Sequence, residues 1–254
     1  MPPPLQPVGP PVDARPARRP ERVVLRGRFV TLVPLDAERH ADALFDGVNG
    51  GDKDRLWTYL ADGPFADPAA FKTNLAAKAK SDDPLFFAVV DNALQRAVGY
   101  QALMRVEPNH RAIEVGSVLY APALQRTPGA TEAQYLFARY IFDDLGYRRY
   151  EWKCDALNAP SRRAALRLGF AFEGVFRQHM IVKGRNRDTA WHAIADSEWP
   201  LRRAAFERWL APDNFDAAGR QRASLASLRG ADAGASRLGR VVVNPKRKSQ
   251  LRAS

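Results

Sequence analysis

The loop between residues 119 and 132, which reads LYAPALQRTPGATE, combines residue types that bind phosphate groups. It consists of a β-rich run, several small residues and the start of an amphipathic helix. A helix N-terminus presents unpaired N–H groups and the positive end of the helix dipole, and small residues let a ligand approach it closely. We therefore expect an anion to bind there. The candidate residues are Gln125, Arg126, Thr127, Gly129, Ala130 and Thr131.

The same loop also has a purely structural interpretation. Thr127 is a good helix cap, and Pro128 is typical of the first position of a helix. A second loop is equally ambiguous, because Asn158 directly follows a β-rich run and Ser161 begins a short helical pattern. Neither loop is a P-loop, since neither GxxxxGKS nor GxxxxGKT occurs in the chain. In isolation, the two loops leave ligand binding and simple capping both open.

Hydrophobic patterning and turn signals predict the elements that would position these loops. Three strands are expected in succession, at 85–90, 96–106 and 112–120, with a bulge at Gly116-Ser117. The elements expected after them are a helix at 129–146, a strand at 148–155, a helix at 160–168, strands at 171–182 and 188–196, and a helix at 200–210. Successive strands favour antiparallel pairing, and the later helix–strand steps permit parallel crossovers. We expect an α+β (mixed α/β) fold, with a mixed sheet, antiparallel N-terminal strands and helices on both faces.

The positive charge of the chain is concentrated at its two ends. Of the net charge of +11, residues 1–28 carry +4 and residues 211–254 carry +6, which leaves +1 for the middle. The Pro- and Arg-rich residues 1–22 predict a disordered leader, and residues 211–254 predict a flexible basic tail, around one folded domain at 23–210. Such ends would attract nucleic acid only non-specifically.

Composition disfavours several classes of protein. Cys154 is the single cysteine, so no disulfide within the chain and no cysteine-based zinc site can form. The four histidines lack a metal-ligand spacing, and we expect no metal. The sequence has neither a signal-peptide pattern nor about 18 consecutive apolar residues. We therefore expect no membrane association and a cytoplasmic location.

Three groups of motifs, in a fixed order, add a family resemblance. The first group is TEA at 131–133 with LGY at 145–147. The second is Asn158 and Ser161, followed by LGF at 168–170 and EG at 173–174. The third is Arg177 with RDT at 187–189. Together they resemble the GNAT superfamily of N-acetyltransferases, and within it the RimJ/RimL-like branch, over about residues 23–210. The resemblance implies a strongly twisted sheet whose central strands splay apart. It also implies acetyl-CoA as co-substrate and direct attack by a primary amine of a protein N-terminus, a peptide or a small molecule.

The chain departs from the family in the loop that binds acetyl-CoA. That loop commonly reads Gln-x-x-Gly-x-Gly/Ala, and the corresponding residues here are Gln125, Pro128 and Ala130. Because Pro128 has no N–H to donate, one hydrogen bond to the pyrophosphate is expected to be missing. We expect a modified loop rather than a lost one, since the remainder of the motif is intact.

The resemblance implies roles for four residues near the splayed strands. Backbone N–H groups near Val118 or Leu119 would face the thioester carbonyl, where negative charge develops. Asn158 would hold the pantetheine arm, and Ser161 would lie near the sulfur as an acid.

Glu114 is the candidate general base. It stands in an otherwise apolar strand, two residues before the irregularity at Gly116, and desolvation there would make a carboxylate a stronger base. An equally weighted alternative is that Glu114 lies on a solvated face or pairs with Arg111.

The acceptor and the partners are less well specified. Trp57 and Tyr59 lie in a variable helical region and are candidates to line an amine pocket, although core packing is a common role for a tryptophan. A homodimer is left open. Two alternative functions remain: a non-catalytic acyl-CoA-binding sensor or scaffold, and a nucleic-acid-associated protein that acts through its basic tails.

Overall fold

One mixed sheet organises residues 6–233, the part of the chain that the computed structural model describes. Its strands are β1 (Leu25–Arg26), β2 (Val30–Pro34), β3 (Leu85–Asp91), β4 (Arg96–Glu107), β5 (Ala112–Tyr120), β6 (Arg149–Asp155), β7 (Ala171–Val182) and β8 (Arg185–Ala195). Their order in the sheet is β1-β2-β3-β4-β5-β6-β8-β7. Only the β5–β6 pair is parallel, and the other pairs are antiparallel. The predicted mixed sheet with antiparallel N-terminal strands is confirmed.

Helices cover both faces of the sheet, as predicted. One face carries α1 (Ala37–Val48), α2 (Pro68–Lys80) and a 3-10 helix at Gly51–Trp57. The other face carries α3 (Pro128–Arg139), α4 (Ala159–Leu168), α5 (Trp199–Leu210) and α6 (Leu225–Ala233). Short polar side chains start the first two helices: Asp36 accepts N–H groups from α1, and Asp67 does so from α2.

The α3 helix is held against the start of the sheet by Glu132, the middle residue of the TEA motif. The buried carboxylate of Glu132 accepts three backbone N–H groups, from Arg28 at 2.8 Å, Phe29 at 2.6 Å and Val30 at 2.9 Å. Such charge-assisted bonds satisfy a turn that would otherwise bury unpaired donors. The TEA motif therefore has a positioning role that is separate from ligand contact.

The helix predicted at 129–146 changes character near its end. Its α-helical part stops at Arg139, and one π-helical turn, Tyr140–Asp144, follows. In that turn the Leu145 N–H donates to the Tyr140 carbonyl at 3.1 Å.

The two central strands separate after a short parallel contact. Strands β5 and β6 pair from Ala112–Arg149 to Val115–Trp152 and no further, while β5 continues beside β4 as far as Tyr120. The predicted bulge lies at this point: the β4–β5 register shifts between Tyr100 and Ala102, and Ser117 has a φ of 48°. The β6-facing backbone edge of β5 after Val115 therefore has no strand partner. The expected splay is present.

Beyond both predicted ends of the folded domain, described residues contact the domain, and the boundaries at 23 and 210 stay a prediction. In the leader, residues 6–22 have no regular secondary structure, but they contact the domain: the Ala17 N–H donates to the Pro108 carbonyl, and the Glu21 N–H donates to the Tyr140 hydroxyl. At the other end, residues 211–224, here called the C-terminal segment, form a 3-10 turn and a bridge between Phe215 and Gln221. The α6 helix then buries Leu225. The C-terminal segment and α6 bury apolar side chains, whereas residues 6–22 stay largely exposed and contact the domain through a few hydrogen bonds. Residues 1–5 and 234–254 lie outside the described residues.

Candidate active site

A groove of about 750 Å³ opens where β5 and β6 separate, between the starts of α3 and α4. It brings together residues that are far apart in the sequence. Most of the predicted donor-site residues line it: Val118, Leu119, Gln125, Arg126, Thr127, Ala130, Thr131, Asn158 and Ser161. The groove therefore joins the two loops that were ambiguous in isolation.

Thr127 caps α3, and Pro128 occupies the first helical position, as the structural interpretation of the loop expected. The Thr127 hydroxyl accepts the Ala130 N–H at 3.3 Å and donates to the Leu124 carbonyl at 2.7 Å. Arg126 has a φ of 62°, which turns the chain before the cap. Capping and groove lining thus coexist. Since Pro128 lacks an N–H and Ala130 already donates to Thr127, this helix start offers an anion fewer backbone donors than an uncapped one.

Gly129 is buried and is not among the residues that line the groove, so its assignment as a ligand contact stays a prediction. A Cβ built on Gly129 would lie 2.8 Å from Cγ1 of Val30. The close packing of α3 against β2 is therefore enough to explain a residue without a side chain here.

Arginines of α4 supply positive charge that the sequence analysis missed. Arg163 and Arg167 line the groove together with Arg126. The Arg167 guanidinium donates to the Thr131 hydroxyl at 3.0 Å, so it spans the groove from α4 to α3. Their spacing of four residues, which places both on one helix face, was a signal in the sequence. These cations offset the few backbone donors at the start of α3.

The start of α4 is organised by Asn158, which is its N-cap. The Asn158 Oδ1 accepts the Ser161 N–H at 3.1 Å, and the Ser161 Oγ accepts the Trp152 Nε1–H at 2.9 Å. Burial raises the pKa of the neighbouring Cys154 thiol, and a hydrogen bond with Ser161 acts in the opposite direction. Ser161 therefore lies in the groove with its hydroxyl already bonded to two neighbours on β6.

Glu114 lies on the opposite face of the sheet and does not line the groove. Its side chain is buried, and its Oε2 is 2.7 Å from the Arg105 Nη1 and 3.0 Å from the Lys153 Nζ. Lys153 also pairs with Glu151 at 2.6 Å. The carboxylate is thus neither solvated nor paired with Arg111, and the two expectations that named those environments are wrong. Its role as a base stays a prediction.

Of the two aromatic residues predicted for the acceptor pocket, Trp57 belongs to the core. It is fully buried against Phe65 and Phe71, and its Nε1–H donates to the Val48 carbonyl at 2.8 Å. Tyr59 is partly exposed, and its hydroxyl donates to the Leu157 carbonyl at 3.3 Å, next to Asn158. Tyr59 thus reaches the α4 start from the other side of the split.

The β7–β8 hairpin borders the face of the split that carries Glu114. Its turn residue Lys183 donates to the carbonyls of Trp57 at 2.9 Å and Gly63 at 2.8 Å, which connects the hairpin to the segment before α2. On the same face, the Lys153 ammonium lies 3.8 Å from the centroid of the Trp191 ring. This side of the split is therefore built from side chains of distant elements.

The described residues contain neither a cluster of metal-binding side chains nor a membrane-spanning helix. Within residues 6–233, no three His, Cys, Asp or Glu side chains form a group that could hold a metal ion. None of the helices in that range combines the length and apolarity needed to cross a bilayer.

Comparisons with known proteins agree with the fold. The acetyltransferase (GNAT) domain family matches residues 30–171, more than half of the chain, which therefore belongs to the GNAT acetyltransferase family. Membership implies an acyltransferase. A search of curated proteins found no match.

Solved structures give the same family assignment. A GCN5-related N-acetyltransferase from Brucella melitensis is 53% identical, with a TM-score of 0.84, over 85% of this chain and 98% of that one. A GNAT-family protein from Chromobacterium violaceum is 44% identical, with a TM-score of 0.71, over 78% of this chain and 99% of that one. A ribosomal-protein-S5-alanine acetyltransferase from Vibrio fischeri is 16% identical with a TM-score of 0.56, over 70% of this chain and 98% of that one, and shares the fold alone.

Proposed function

We propose that the protein transfers the acetyl group of acetyl-CoA to a primary amine, on a protein N-terminus, a peptide or a small molecule, as a member of the RimJ/RimL-like branch. The observation that carries the proposal is the split between β5 and β6. It opens on one face into a groove lined by cations and helix starts, and it lies beside a buried carboxylate on the other face.

On the donor side, the residues fit acetyl-CoA without a metal. Arg126, Arg163 and Arg167 line the groove and match the charge of a pyrophosphate. The unpaired backbone edge of β5 near Val118 and Leu119 can form strand-like hydrogen bonds with the pantetheine amides and can donate to the thioester oxygen. Asn158 and Ser161 line the opposite wall of the same end.

The reaction needs one proton removed and one supplied. The amine nitrogen attacks the thioester carbonyl carbon, the C–N bond forms and the C–S bond breaks, and the coenzyme leaves as a thiolate. We assign removal of the amine proton to Glu114, directly or through a water molecule. Ser161 is the candidate to protonate the thiolate, although its hydroxyl must first exchange its present partners.

The acceptor would approach from the face that carries Glu114. Tyr59 and the β7–β8 hairpin border that approach, whereas Trp57 is excluded because it is fully buried. Two arginines and Lys153 alternate with glutamates around Glu114, so this face has no strong excess of either charge. We also propose, as separate possibilities, that the protein forms a homodimer and that its basic ends bind nucleic acid non-specifically.

Turnover with a panel of amines tests the proposal. The purified full chain is incubated in EDTA with acetyl-CoA and with free amino acids, small amines or peptides that differ in their first residue. We expect release of free coenzyme A and an acetylated acceptor, detected by mass spectrometry, for at least one acceptor class. Tight binding of acetyl-CoA without turnover of any acceptor would instead favour a sensor or scaffold.

A further inference from the structure

The C-terminal segment forms one wall of the groove. Phe215, Gly219 and Gln221 line it, together with Trp209 at the end of α5. All four residues lie beyond the part of the chain that matches the family, residues 30–171. The family match therefore says nothing about this wall, and we infer its chemistry from its own residues.

This wall is held in place by its own hydrogen bonds. The Asn214 amide donates to the Trp209 carbonyl at 2.9 Å and accepts the Ala223 N–H at 2.9 Å. The Asp216 N–H donates to the Arg220 carbonyl at 3.0 Å, which closes the turn at Gly219. Leu225 of α6 is almost fully buried beneath the segment. Because this surface is already fixed, a ligand can bind to it without the loss of conformational entropy that ordering a loop would require.

Contacts among the lining residues give their order along the groove. Ser161 lies at the start of α4 and Arg167 near its end, about 9 Å apart at the helical rise. The Arg167 guanidinium bonds to Thr131 and lies 5.1 Å from the Trp209 ring, which in turn lies 5.3 Å from the Phe215 ring. The groove thus runs from the strand split, past cations, to an aromatic end.

Coenzyme A has its groups in the same order. Its thiol and amide-containing arm come first, its pyrophosphate follows, and an adenosine with a 3′-phosphate ends the molecule. Aromatic side chains contact bases well because every base has a flat π-face. The Gln221 Oε1 accepts the Trp209 Nε1–H at 2.7 Å, which fixes the amide orientation and leaves Nε2 as a donor for the ligand.

We propose that the C-terminal segment binds the 3′-phosphoadenosine end of coenzyme A, with Phe215 against the adenine, Gln221 donating to it and Arg167 beside the phosphates. This inference rests on the proposed use of acetyl-CoA. It assigns to residues 211–224 a specific contribution to coenzyme affinity and none to the chemistry at the thioester.

The test compares whole and shortened ligands on the full chain. Adenosine 3′,5′-bisphosphate should displace acetyl-CoA from the wild type in a calorimetric competition. Gln221→Glu keeps an acceptor for Trp209 but removes the donor and adds charge. It should weaken acetyl-CoA and the bisphosphate by about tenfold, and Phe215→Leu should do so to a similar extent. Neither variant should change the KM for acetyl-pantetheine, which lacks the nucleotide.

Ala217→Glu is the matched control, because it adds the same charge to an exposed position of the same segment away from the groove. It should change these affinities by less than about twofold. The inference is overturned if acetyl-CoA binds while the bisphosphate fails to displace it, or if both groove variants weaken acetyl-pantetheine as much as acetyl-CoA. A wild-type protein that does not bind acetyl-CoA at all would instead remove the proposed function. Melting temperatures of all variants show whether each one is folded.

Discussion

The two faces of the sheet beside the β5–β6 split are built in different ways. The proposed donor groove is made from backbone edges, two capped helix starts and arginines on one helix face. The proposed acceptor face is made from a chain of ion pairs through Glu114, Lys153 and Glu151, contributed by two strands that are distant in the sequence. The first kind of site depends on local sequence patterns, and the second depends on which strands the fold brings together.

This difference explains why the donor side carries more recognisable motifs than the acceptor side. A helix cap and a strand–helix loop require particular residue types at fixed spacing. A buried carboxylate between two cations requires only that each strand present the right face at the right register. The predictions that follow test one side against the other.

The largest expected effect is on the acceptor side. Glu114→Gln should lower the turnover rate by about 10²–10⁴-fold with little change in the acetyl-CoA Kd, because a general base acts on the amine and not on the coenzyme. Steady-state rates and calorimetry measure both quantities. Glu151→Gln is the control, since it also removes a carboxylate partner of Lys153 but lies on the neighbouring strand. Equal loss of rate in both variants would show that the ion-pair network, and not the base, is required.

Gly129→Ala tests whether this glycine serves packing or ligand contact. The added Cβ would lie 2.8 Å from Val30, so we expect a loss of about 1–3 kcal/mol in the free energy of unfolding. Urea denaturation measures it. Gly230→Ala, in α6 with nothing near its Cβ, should instead be neutral or stabilising. An unchanged stability with a weakened acetyl-CoA Kd would support Gly129 as a ligand contact.

Arg167→Gln should weaken acetyl-CoA on the donor side. Loss of one charge-assisted contact to a phosphate predicts about a tenfold higher Kd, and a smaller dependence of that Kd on salt. Calorimetry at two salt concentrations provides the measurement. Arg229→Gln removes another α4-contacting arginine that does not line the groove and serves as the control. A salt dependence that is the same in Arg167→Gln and the wild type would contradict the assignment.

Ser161→Ala has the smallest expected effect. Loss of the Ser161 hydroxyl leaves the mostly buried Trp152 Nε1–H without its acceptor, which should lower the free energy of unfolding by roughly 1 kcal/mol. If Ser161 protonates the thiolate, the single-turnover rate should also fall by up to about tenfold, or about 1.4 kcal/mol. Thermal melting and single-turnover kinetics on one preparation separate the two roles. A lower melting temperature with an unchanged rate makes Ser161 structural.

Sequence patterns predicted much of the fold and pointed to many of the residues that line the groove. The bulge at Ser117 follows from a Gly-Ser break in a strand, and the caps at Thr127 and Asn158 follow from short polar residues before helical patterns. These features are local, so a window of a few residues contains the physics that produces them. Gly129 shows what local patterns cannot distinguish. A glycine needed for helix–strand packing and a glycine needed for ligand contact look the same in the sequence.

The features that were missed depend on tertiary context. The basic composition of residues 211–254 favoured a flexible tail, yet Asn214 and Leu225 fix the first part of it against α5. Trp57 was a candidate for the acceptor pocket and is instead buried against Phe65 and Phe71. In both cases the structure is decided by burial against elements that are far away in the sequence. Local sequence patterns carry no information about such burial.

Calorimetric titration of the full chain with acetyl-CoA, in EDTA and at moderate salt, tests the central claim most directly. The split groove should bind one acetyl-CoA per chain with a Kd below about 1 mM, a value in line with ordinary enzyme–substrate affinities, and Arg167→Gln should weaken it. Absence of binding at millimolar acetyl-CoA, or an affinity that is unchanged in Arg167→Gln, would contradict the assignment of the groove as the donor site.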